Sequence, residues 1–332
     1  QTVVAGKPFV KVELGGGTFY FRPQNNVVLE AGSRYKYTVK VNATGLTLEG
    51  CTIGSWADGG GESGAAEDLG YIYDSNTKTY TVYNADGLMN IAELVNGGKT
   101  DINITLTADI DLTGKNWTPI GTDYDNSYKG TFDGGGHTIT GLTFTTNDEY
   151  AGLFGWLNRA GTVKNVVMEG VQITSNQIYG GSIGGVVGYG WGTIENCSVS
   201  GSVSGTVYVG GVVGVQIGGS ITGCSSSATV KGTVDVGGVA GQTNSSATLT
   251  ACYATGNVTI EIAPKKNIAG GGLVGMNAGS SLLACYATGN VTSTGSSTGY
   301  VHIGGFLGNN YANVMTACYW KNNHEQGIGY NK

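Results

Sequence analysis

The densest group of side chains able to do acid–base chemistry is a set of aspartates in the first half of the chain. Its members are Asp109, Asp111, Asp123, Asp125, Asp133 and the nearby His137. Two carboxylates about 5 to 9.5 Å apart can hydrolyse a glycosidic bond, and a base beside a cation can drive elimination. Asp133 and His137 flank three glycines, however, and aspartates at such places characteristically hydrogen-bond turn amides. We therefore predict a structural role and no enzyme; a polysaccharide lyase or glycoside hydrolase is the alternative if Asp109, Asp111 and Asp133 converge in a cleft.

Asp123 and Asp125 are the candidate metal ligands of the sequence. Their alternating oxygens suit calcium, but the segment has neither the glycine nor the distal glutamate of a known calcium loop, which favours an exposed turn. No Cys-X-X-Cys pair and no histidine partner accompanies any of the six cysteines, which argues against zinc. The sequence predicts no cofactor and no nucleophilic catalytic motif.

Aromatic residues near the C-terminus form the candidate ligand-binding site. Tyr253, Tyr286 and Tyr319 each directly follow a cysteine, and Trp320 follows the last of them. If the cysteines face inward, the tyrosines face outward and form a ladder that could bind sugar faces or another protein. Register alone also explains such a ladder, because stacked rings stabilise each other by about 0.5 to 1.5 kcal/mol. This structural explanation is favoured, and earlier copies carry serine at the same position, so the ladder is not uniform.

These aromatic residues belong to an internal repeat. Each unit has a Gly-aliphatic-X-Gly tetrad and, twelve to fourteen residues after its start, a cysteine, which is valine in the first copy. Successive tetrads start 33, 26, 27, 34 and 33 residues apart, a period typical of solenoids or propellers. The tetrads begin at Gly152, Gly185, Gly211, Gly238, Gly272 and Gly305, and the residues that follow them are Val166, Cys197, Cys224, Cys252, Cys285 and Cys318.

The pattern within each unit predicts short strands. Residues 252–259 alternate small or apolar side chains with polar or aromatic ones, as a half-buried strand does. Recurrent glycines suit tight turns, and stacked coils would pair equivalent strands about 4.8 Å apart. We predict an all-β fold with a right-handed parallel β-helix of about ten coils, of order 50 Å long. Its inward cysteines are predicted to be free thiols, because side-by-side positions match disulfide geometry poorly.

Three parts of the chain are predicted. Residues 1–56 carry alternating, antiparallel strand patterns and form a small β-sandwich-like segment. Residues 57–77 are a linker, because their first half consists of Gly, Ala, Ser, Asp and Glu. Residues 78–332 form the β-helix, with repeats from about 130 to 320 and a polar tail that only partly closes its end.

A short helix at about 85–96 is predicted to cap the first coil. Its apolar residues fall at helical spacing, Asn84 or Asp86 can cap its start, and Gly97 and Gly98 end it. The first coil of a solenoid exposes core that must be covered. The helix directly precedes a predicted strand over residues 102–112, so it is well placed to do so. The apolar residues are Leu88, Ile91, Ala92 and Val95.

Composition excludes some functions. The chain of 332 residues has a net charge of −6, only 17 lysines and arginines and no basic run, which argues against nucleic-acid binding. No apolar run approaches the length of a membrane span, and the first residues lack the features of a signal peptide. A chain that begins with Gln1 is interpreted as a processed form or a fragment.

Two segments resemble known families. Residues 272–279 (GLVGMNAG) and 284–291 (ACYATGNV) resemble the GLUG motif of bacterial surface proteins. Residues 106–112 (LTADIDL), 117–121 (WTPIG) and 130–137 (GTFDGGGH) are similar to the coils that precede GLUG repeats in adhesin-like proteins of Bacteroides-type bacteria. Residues 29–56 are similar to the closing strands of fimbrillin-like domains from the same bacteria.

The resemblance implies an extracellular location at the bacterial cell surface or on a fimbria. It also implies a non-catalytic adhesin whose β-helix displays a binding surface for glycan or protein ligands of a host or a bacterial community. A fimbrial tip or assembly subunit, with other fimbrial subunits as partners, is the alternative if residues 1–56 complete a partner's sheet by strand addition.

Overall fold

The computed structural model describes residues 2–14, 17–21, 26–28, 34–42, 45–54, 58–59, 64–65, 69–311, 314–321 and 326–332. The chain divides into two compact units, Gln1–Val82 and Tyr83–Lys332. All named strand pairs within the first unit are antiparallel, and all those within the second are parallel. The predicted change of architecture along the chain is therefore confirmed.

The first unit is built of antiparallel pairs. The alternating segments around Val12 and Val39 lie in strands Val10–Leu14 and Arg34–Asn42, as predicted. The side chain of Cys51 lies outside the described residues. The pairs are Thr2–Val3 with Val27–Val28, Val10–Leu14 with Gly17–Phe21, Arg34–Asn42 with Gly45–Gly54, Gly45–Gly54 with Asp58–Gly59 and with Gly64–Ala65, and Tyr71–Asp74 with Thr79–Val82.

The predicted linker is shorter than residues 57–77. Strand Tyr71–Asp74 lies inside that range and begins a hairpin whose turn is closed by the Asp74 carboxylate, which accepts hydrogen bonds from Asn76 N and Thr77 Oγ1. The Tyr73 and Tyr80 rings contact each other across the hairpin at 4.4 Å. Tyrosine and isoleucine favour strands, so the linker composition ends near residue 70. Residues 57, 60–63 and 66–68 lie outside the described part of the chain.

The capping helix is confirmed as Ala85–Asn96. The Asn84 side chain is the N-cap and accepts a hydrogen bond from Gly87 N at 2.8 Å. The four predicted apolar residues are all buried. At the other end, the Asn96 side chain donates to Pro119 O and accepts from Gly121 N, which fastens the helix to the following coil.

Three parallel sheets form the faces of the solenoid. Face 1 contains Asn103–Leu106, Thr131–Asp133, Phe154–Leu157, Thr162–Lys164, Val187–Gly190, Thr193–Glu195, Val213–Thr222, Ala240–Thr250, Val274–Ala278, Ser281–Leu283, Leu307–Asn310, Met315–Thr316 and Ile328–Asn331. Face 2 contains Ile110–Asp111, Thr138–Thr140, Thr143–Thr146, Val167–Ser175, Ser198–Ser204, Ser225–Ser226, Thr229–Gly232, Tyr253–Ala254, Val258–Ile262, Tyr286–Ala287, Val291–Gly295 and Tyr319–Trp320. Face 3 contains Tyr150–Ala151, Ser182–Gly184, Tyr208–Gly210, Asp235–Gly237, Ile268–Gly271 and Val301–Gly304.

The tetrads form the tight corner between face 3 and face 1. A Cβ on the first glycine, as at Gly272, would meet the carbonyl of Gly305 one turn on and the Ala287 side chain inside the core. A Cβ on the last glycine, as at Gly275, would collide with the backbone of Asp235 and Val236 on face 3 of the preceding turn. Both positions therefore require glycine for close packing, which is the physical reason for the repeat.

Inward positions form continuous columns of core residues. The cysteines stack in one of them, where Cys197, Cys224, Cys252 and Cys285 are fully buried and Cys318 is partly exposed at the end. All five thiols are free, as predicted. Hydrogen bonding with Cys197 and burial raise the pKa of the Cys224 thiol. Hydrogen bonding with Cys252 instead lowers the pKa of the Cys285 thiol to about 7. Four of the five thiols are thus sealed from solvent inside the core.

The solenoid has about seven turns rather than the ten expected. At about 4.8 Å per turn its length is about 34 Å. The predicted strand over 102–112 is also divided, into Asn103–Leu106 on face 1 and Ile110–Asp111 on face 2. Period-two alternation continues through such a corner, so it does not reveal where one strand ends.

The C-terminal tail extends the stack. Ile328–Asn331 pairs in parallel with Leu307–Asn310, and Asn310 Nδ2 donates to Asn331 Oδ1 at 2.6 Å. Residues 322–325 lie outside the described part of the chain. The tail therefore adds strand to face 1, a role that its polar composition did not predict.

Candidate functional site

Tyr253, Tyr286 and Tyr319, here called the tyrosine column, lie at one outward register position of face 2. Their strands pair in register, and the Tyr253 and Tyr286 rings stack in parallel with centroids 4.8 Å apart and an angle of 3° between their planes. Exposure rises along the column, from the half-buried Tyr253 to Tyr286 at 38% and Tyr319 at 68%. Stacking covers the ring faces that Tyr253 and Tyr286 turn to each other, so a ligand would reach this surface mainly at the ring edges. Whether a ligand binds remains a prediction.

Trp320 is not part of this surface. It pairs in register with Ala287, which points into the core, so Trp320 occupies an inward position next to the outward Tyr319. Its indole lies directly on Gly327, where no side chain could be accommodated. It is 43% exposed because it lies on the last described rung of face 2. Adjacent strand residues face opposite sides of a sheet, so Trp320 does not continue the tyrosine column, and whether it contacts a ligand stays a prediction.

A shallow groove that the sequence did not predict continues the tyrosine column toward the N-terminus. Ser198 and Ser225 occupy the register position of Tyr253 in the two preceding turns. Their small side chains leave a depression of about 290 Å³ with hydroxyls on its floor and the Tyr253 ring beside it. We call it the serine groove. Its other outward lining residues are Val167, Glu169, Ser200, Ser227 and Thr255.

A second outward surface lies where face 3 meets face 1, and we call it the corner groove. One side is a register column on face 3 and the other a register column on face 1. The face 3 column is Tyr150, Ser182, Tyr208, Asp235, Ala269 and His302. The face 1 column is Trp156, Tyr189, Val215, Gln242, Met276 and Asn309.

Side chains of the two columns meet across the corner at both ends of the groove. Near the N-terminal end, the Tyr150 ring contacts Trp156 at 4.7 Å and Tyr189 at 5.5 Å, both edge to face. At the other end, His302 Nδ1 hydrogen-bonds Asn309 Oδ1. The surface is therefore concave, since outward residues of two faces could not otherwise touch.

Asp235 lies midway along the corner groove and is 6% exposed. Within the described residues, no donor lies within hydrogen-bond distance of its carboxylate. Burial raises the pKa of this carboxyl to about 7. Burial and the charge of Asp235 also raise the pKa of the neighbouring Tyr208. Sequence reasoning passed over Asp235 because it appears in one repeat alone and at no position shared with another acid.

The aspartates that could have formed a catalytic site bind separate turns instead. Asp109 accepts a hydrogen bond from Thr138 N and lies 3.4 Å from His137 Nδ1. Asp111 accepts from Thr113 N, and Asp133 accepts from Gly135 N and Asn165 Nδ2. These bonds lower the pKa of the Asp109 and Asp111 carboxyls. Turn capping accounts for the cluster as the sequence predicted.

Asp123, a weak calcium candidate, also caps a turn. Its carboxylate accepts hydrogen bonds from Asn126 N at 2.9 Å and from Thr122 Oγ1 at 3.0 Å. No group of three His, Cys, Asp or Glu side chains within the described ranges is arranged to hold a metal ion. Asp125 lies on the exposed part of the same turn.

Fold and repeat together define a parallel β-helix of GLUG type that follows an antiparallel β unit. Residues 1–56 match the fimbrillin-like family, and residues 179–204 and 205–231 match the GLUG motif. The matched GLUG segments are two successive turns upstream of those on which the resemblance was based. Each runs from the residues before a face 3 strand, through the tetrad corner, to the end of face 2. One GLUG motif is thus one turn of this solenoid.

Similar proteins share parts of the chain. Halomucin of Haloquadratum walsbyi is 32% identical over 158 residues, which are 44% of this chain and 2% of halomucin. A "Putative Gly-rich membrane protein" of Evansella cellulosilytica is 38% identical over 100 residues, which are 29% of this chain and 11% of that protein. The chain therefore spans a small part of either relative. No helix in the described segments is long and apolar enough to cross a membrane.

A solved structure shares the fold. The crystal structure described as "a putative immunoglobulin A1 protease" from Bacteroides ovatus superimposes with a TM-score of 0.62, covering 76% of this chain and 84% of that one. The two sequences are 23% identical, so the likeness shows a common architecture alone.

Proposed function

We propose that the chain is a non-catalytic adhesin of a bacterial cell surface, and that its β-helix displays the tyrosine column and the serine groove to a glycan or protein ligand. The observation that carries the proposal is the continuous outward strip on face 2, in which exposed, parallel tyrosine rings lead into a hydroxyl-lined depression. Aromatic faces beside a few polar groups are the usual composition of a ligand site.

A surface location is supported by the relatives. One relative is named halomucin and the other is named as a membrane protein, and residues 1–56 match a fimbrillin-like family. The four thiols that lie inside the core are also compatible with an oxidising exterior, because burial shields them from oxidants.

The hydrogen bonds and the pKa values of the aspartates are the reason for proposing that the chain is not catalytic. Asp109 already accepts a hydrogen bond from Thr138 N, which begins a strand of the following turn of the solenoid, and Asp133 accepts one from Gly135 N. Asp133 also pairs with Lys164 Nζ at 3.3 Å. A general acid needs a raised pKa, whereas the pKa of the Asp109, Asp111 and Asp133 carboxyls is lowered.

A fimbrial tip or assembly subunit is the second candidate, favoured by the fimbrillin-like match of residues 1–56. Short antiparallel strands in that unit offer edges to which a partner strand could add. In this case the β-helix is the displayed part of a larger assembly.

The test is retention of the purified chain on an array of glycans, mucin and extracellular-matrix proteins, with each glycan spot also analysed for cleavage. Retention without cleavage, lost in Tyr286→Ala, supports the proposal. Tyr179→Ala is the matched control, because Tyr179 is a 78% exposed tyrosine outside the column. Cleavage of any glycan, or retention that Tyr286→Ala leaves unchanged, contradicts it.

A further inference from the structure

We propose that strand Thr143–Thr146 of face 2 is a docking edge, to which an extended peptide segment of a partner protein adds as a parallel strand with a basic C-terminal end. The space between this strand and residues 115–119 is here called the edge cleft. It shares no lining residue with the tyrosine column or the serine groove. The proposal therefore stands or falls independently of the one above.

The edge is free because the first turn of the solenoid takes a shorter path than the second. Asp111 pairs with Thr140 on face 2. The next paired positions of these two turns are Ile120 and Phe154, on face 1. The first turn covers this interval in nine positions and the second in fourteen. Among the described strands, Thr143–Thr146 consequently pairs with the following turn alone.

Two residues of this strand direct unpaired backbone groups into the edge cleft. The carbonyls of Leu142 and Thr146 accept hydrogen bonds from the following turn. Because the backbone groups of successive strand residues point to opposite edges, those of Thr143 and Thr145 point away from that turn. In the part of the chain that the structure describes, the N–H and C=O groups of these two residues make no hydrogen bond. Both side chains are exposed, so a partner strand can reach these groups from solvent.

Phe144 lies between these threonines at an inward position, yet it is half-buried. The core residues that continue its column in the next four turns are all fully buried, because each has a neighbour in the turn on either side. Phe144 has such a neighbour on one side, and an aliphatic residue of an added strand would cover the other. Burial of that apolar surface favours binding. The later members of the column are Ile173, Val203, Val230 and Val258.

The edge cleft is preformed by contacts within the fold. Its volume is about 380 Å³, and residues 115–119 form its far wall. Trp117 Nε1 donates a hydrogen bond to Gly152 O at 3.2 Å. Lys115 Nζ pairs with the Asp86 carboxylate at 2.6 Å. Because these contacts hold the wall in place without a ligand, a docked segment has little of the site to order, which favours its binding.

The charges around the edge cleft favour a basic end on the docked segment. Asp148 and Glu149 are exposed just beyond the C-terminal end of the strand. Lys115, across the cleft, is already paired with Asp86. A segment that runs parallel to the strand brings its C-terminal end to the two carboxylates, where lysine or arginine is complementary. The strand Thr143–Thr146 itself has no charge and no proline, the residues with which proteins commonly block a free strand edge.

The experiment measures binding of fluorescent heptapeptides to the full chain by anisotropy. Each peptide consists of serine and threonine with valine, isoleucine, leucine or phenylalanine at its centre and an amidated lysine at its C-terminal end. We expect at least one of these four peptides to bind with a Kd of about 1 mM or lower. A matched peptide with glutamate in place of the lysine should bind more weakly, because it meets Asp148 and Glu149 with a like charge.

Methylated peptides test recognition of the backbone without any change to the protein. In a parallel ladder the peptide residue opposite Phe144 donates its N–H to Thr143 O, whereas the next residue directs its N–H away from the strand. Methylation of the central peptide nitrogen should therefore lower affinity by about tenfold. Methylation of the next nitrogen is the matched control and should change affinity by no more than about twofold.

Protein variants test the same edge from the other side. Thr145→Pro removes the N–H that faces the edge cleft and leaves the bonds to the following turn in place, as free edges of sheets tolerate. It should abolish binding, whereas Thr145→Val keeps the backbone N–H and should bind like the parent chain. Tyr286→Ala changes the tyrosine column alone and should also bind like the parent.

Four results overturn the proposal. They are failure of all four lysine peptides to bind at about 1 mM, equal or tighter binding of the glutamate peptides, equal losses from the two methylations, and parental affinity in a folded Thr145→Pro chain. If Thr145→Pro does not fold, the methylated peptides decide the question with the unmodified chain.

Discussion

The tyrosine column and the corner groove are built by the same repeat but are organised differently. In the column one residue type recurs at one position, and its rings stack at 4.8 Å, which is the spacing of the strands themselves. In the groove, residues from two faces meet and their types change from turn to turn. Stacking in register follows from repetition alone, whereas convergence of unlike residues across a corner does not. Departures from the repeat therefore carry structural information that the repeat itself does not.

The largest expected effect removes both surfaces at once. Gly275→Leu places a side chain against the backbone of Asp235 and Val236, which cannot move without opening the stack. We expect the free energy of unfolding to fall by more than about 4 kcal/mol, measured by urea denaturation. Thr145→Leu adds the same side chain at an exposed strand position and should change it by no more than about 0.5 kcal/mol. Near-parental stability of Gly275→Leu would show that the corner is not tightly packed.

The next effect belongs to the corner groove alone and depends on pH. Burial raises the pKa of Asp235 from 3.8 to about 7, so the folded chain holds a proton that the unfolded chain releases. The stabilisation that comes from keeping Asp235 protonated is therefore fully present below pH 3.8. It is lost as the pH rises to about 7, which lowers the free energy of unfolding by about 4 kcal/mol. The Asp235→Asn variant has no carboxyl to titrate at this position. Its free energy of unfolding, relative to that of the parent chain, should therefore rise between pH 3.8 and about 7. A pH-independent difference in urea denaturation midpoints would contradict the assignment.

Trp320→Ala tests whether this ring belongs with the core or with the tyrosine column. Because the indole covers Gly327 at the last turn, we expect a loss of about 1 to 3 kcal/mol. Amide hydrogen exchange should accelerate in Val301–Gly304 and Ile328–Asn331, and binding by the column should be unchanged. Faster exchange at Ala85–Asn96 to the same degree would mean that the effect is global and not confined to this end.

The smallest expected effect is that of Tyr286→Ala on stability. Its ring stacks on Tyr253 at an exposed position, so its removal should cost no more than about 1.5 kcal/mol and lower the melting temperature by a few degrees. Paired with Trp320→Ala, it separates a ring of the proposed binding surface from a ring that packs at the end of the solenoid. If Tyr286→Ala lowered the free energy of unfolding more than Trp320→Ala does, Tyr286 and not Trp320 would be the ring that stabilises the fold.

The sequence predicted the architecture well because the constraints that create it are repeated. Local packing alone determines the residue type at several positions, and the sequence predicted their roles correctly. Examples are the corner glycines Gly272 and Gly275, the core cysteine Cys285 and the buried helix residues around Ile91. The corner groove could not be predicted in the same way. Tyr150 and Trp156 lie on two faces, and the sequence pattern does not predict the angle between those faces. Asp235 has no acidic counterpart at the same position in other turns. The inward strand position of Trp320 could have been predicted, because it follows the outward Tyr319 directly and adjacent strand residues face opposite sides.

Unequal turn lengths have an evolutionary consequence. Between equivalent core positions of face 2 and face 3, Val209 follows Val203 by six positions, whereas Gly270 follows Val258 by twelve. The extra residues of the long turns thus accumulate at one corner, ahead of face 3, and the rungs above and below stay in register. Lengthening such a loop costs little free energy. A lineage can therefore reshape that edge by insertion and deletion, under immune or ecological selection, while inheriting the scaffold unchanged.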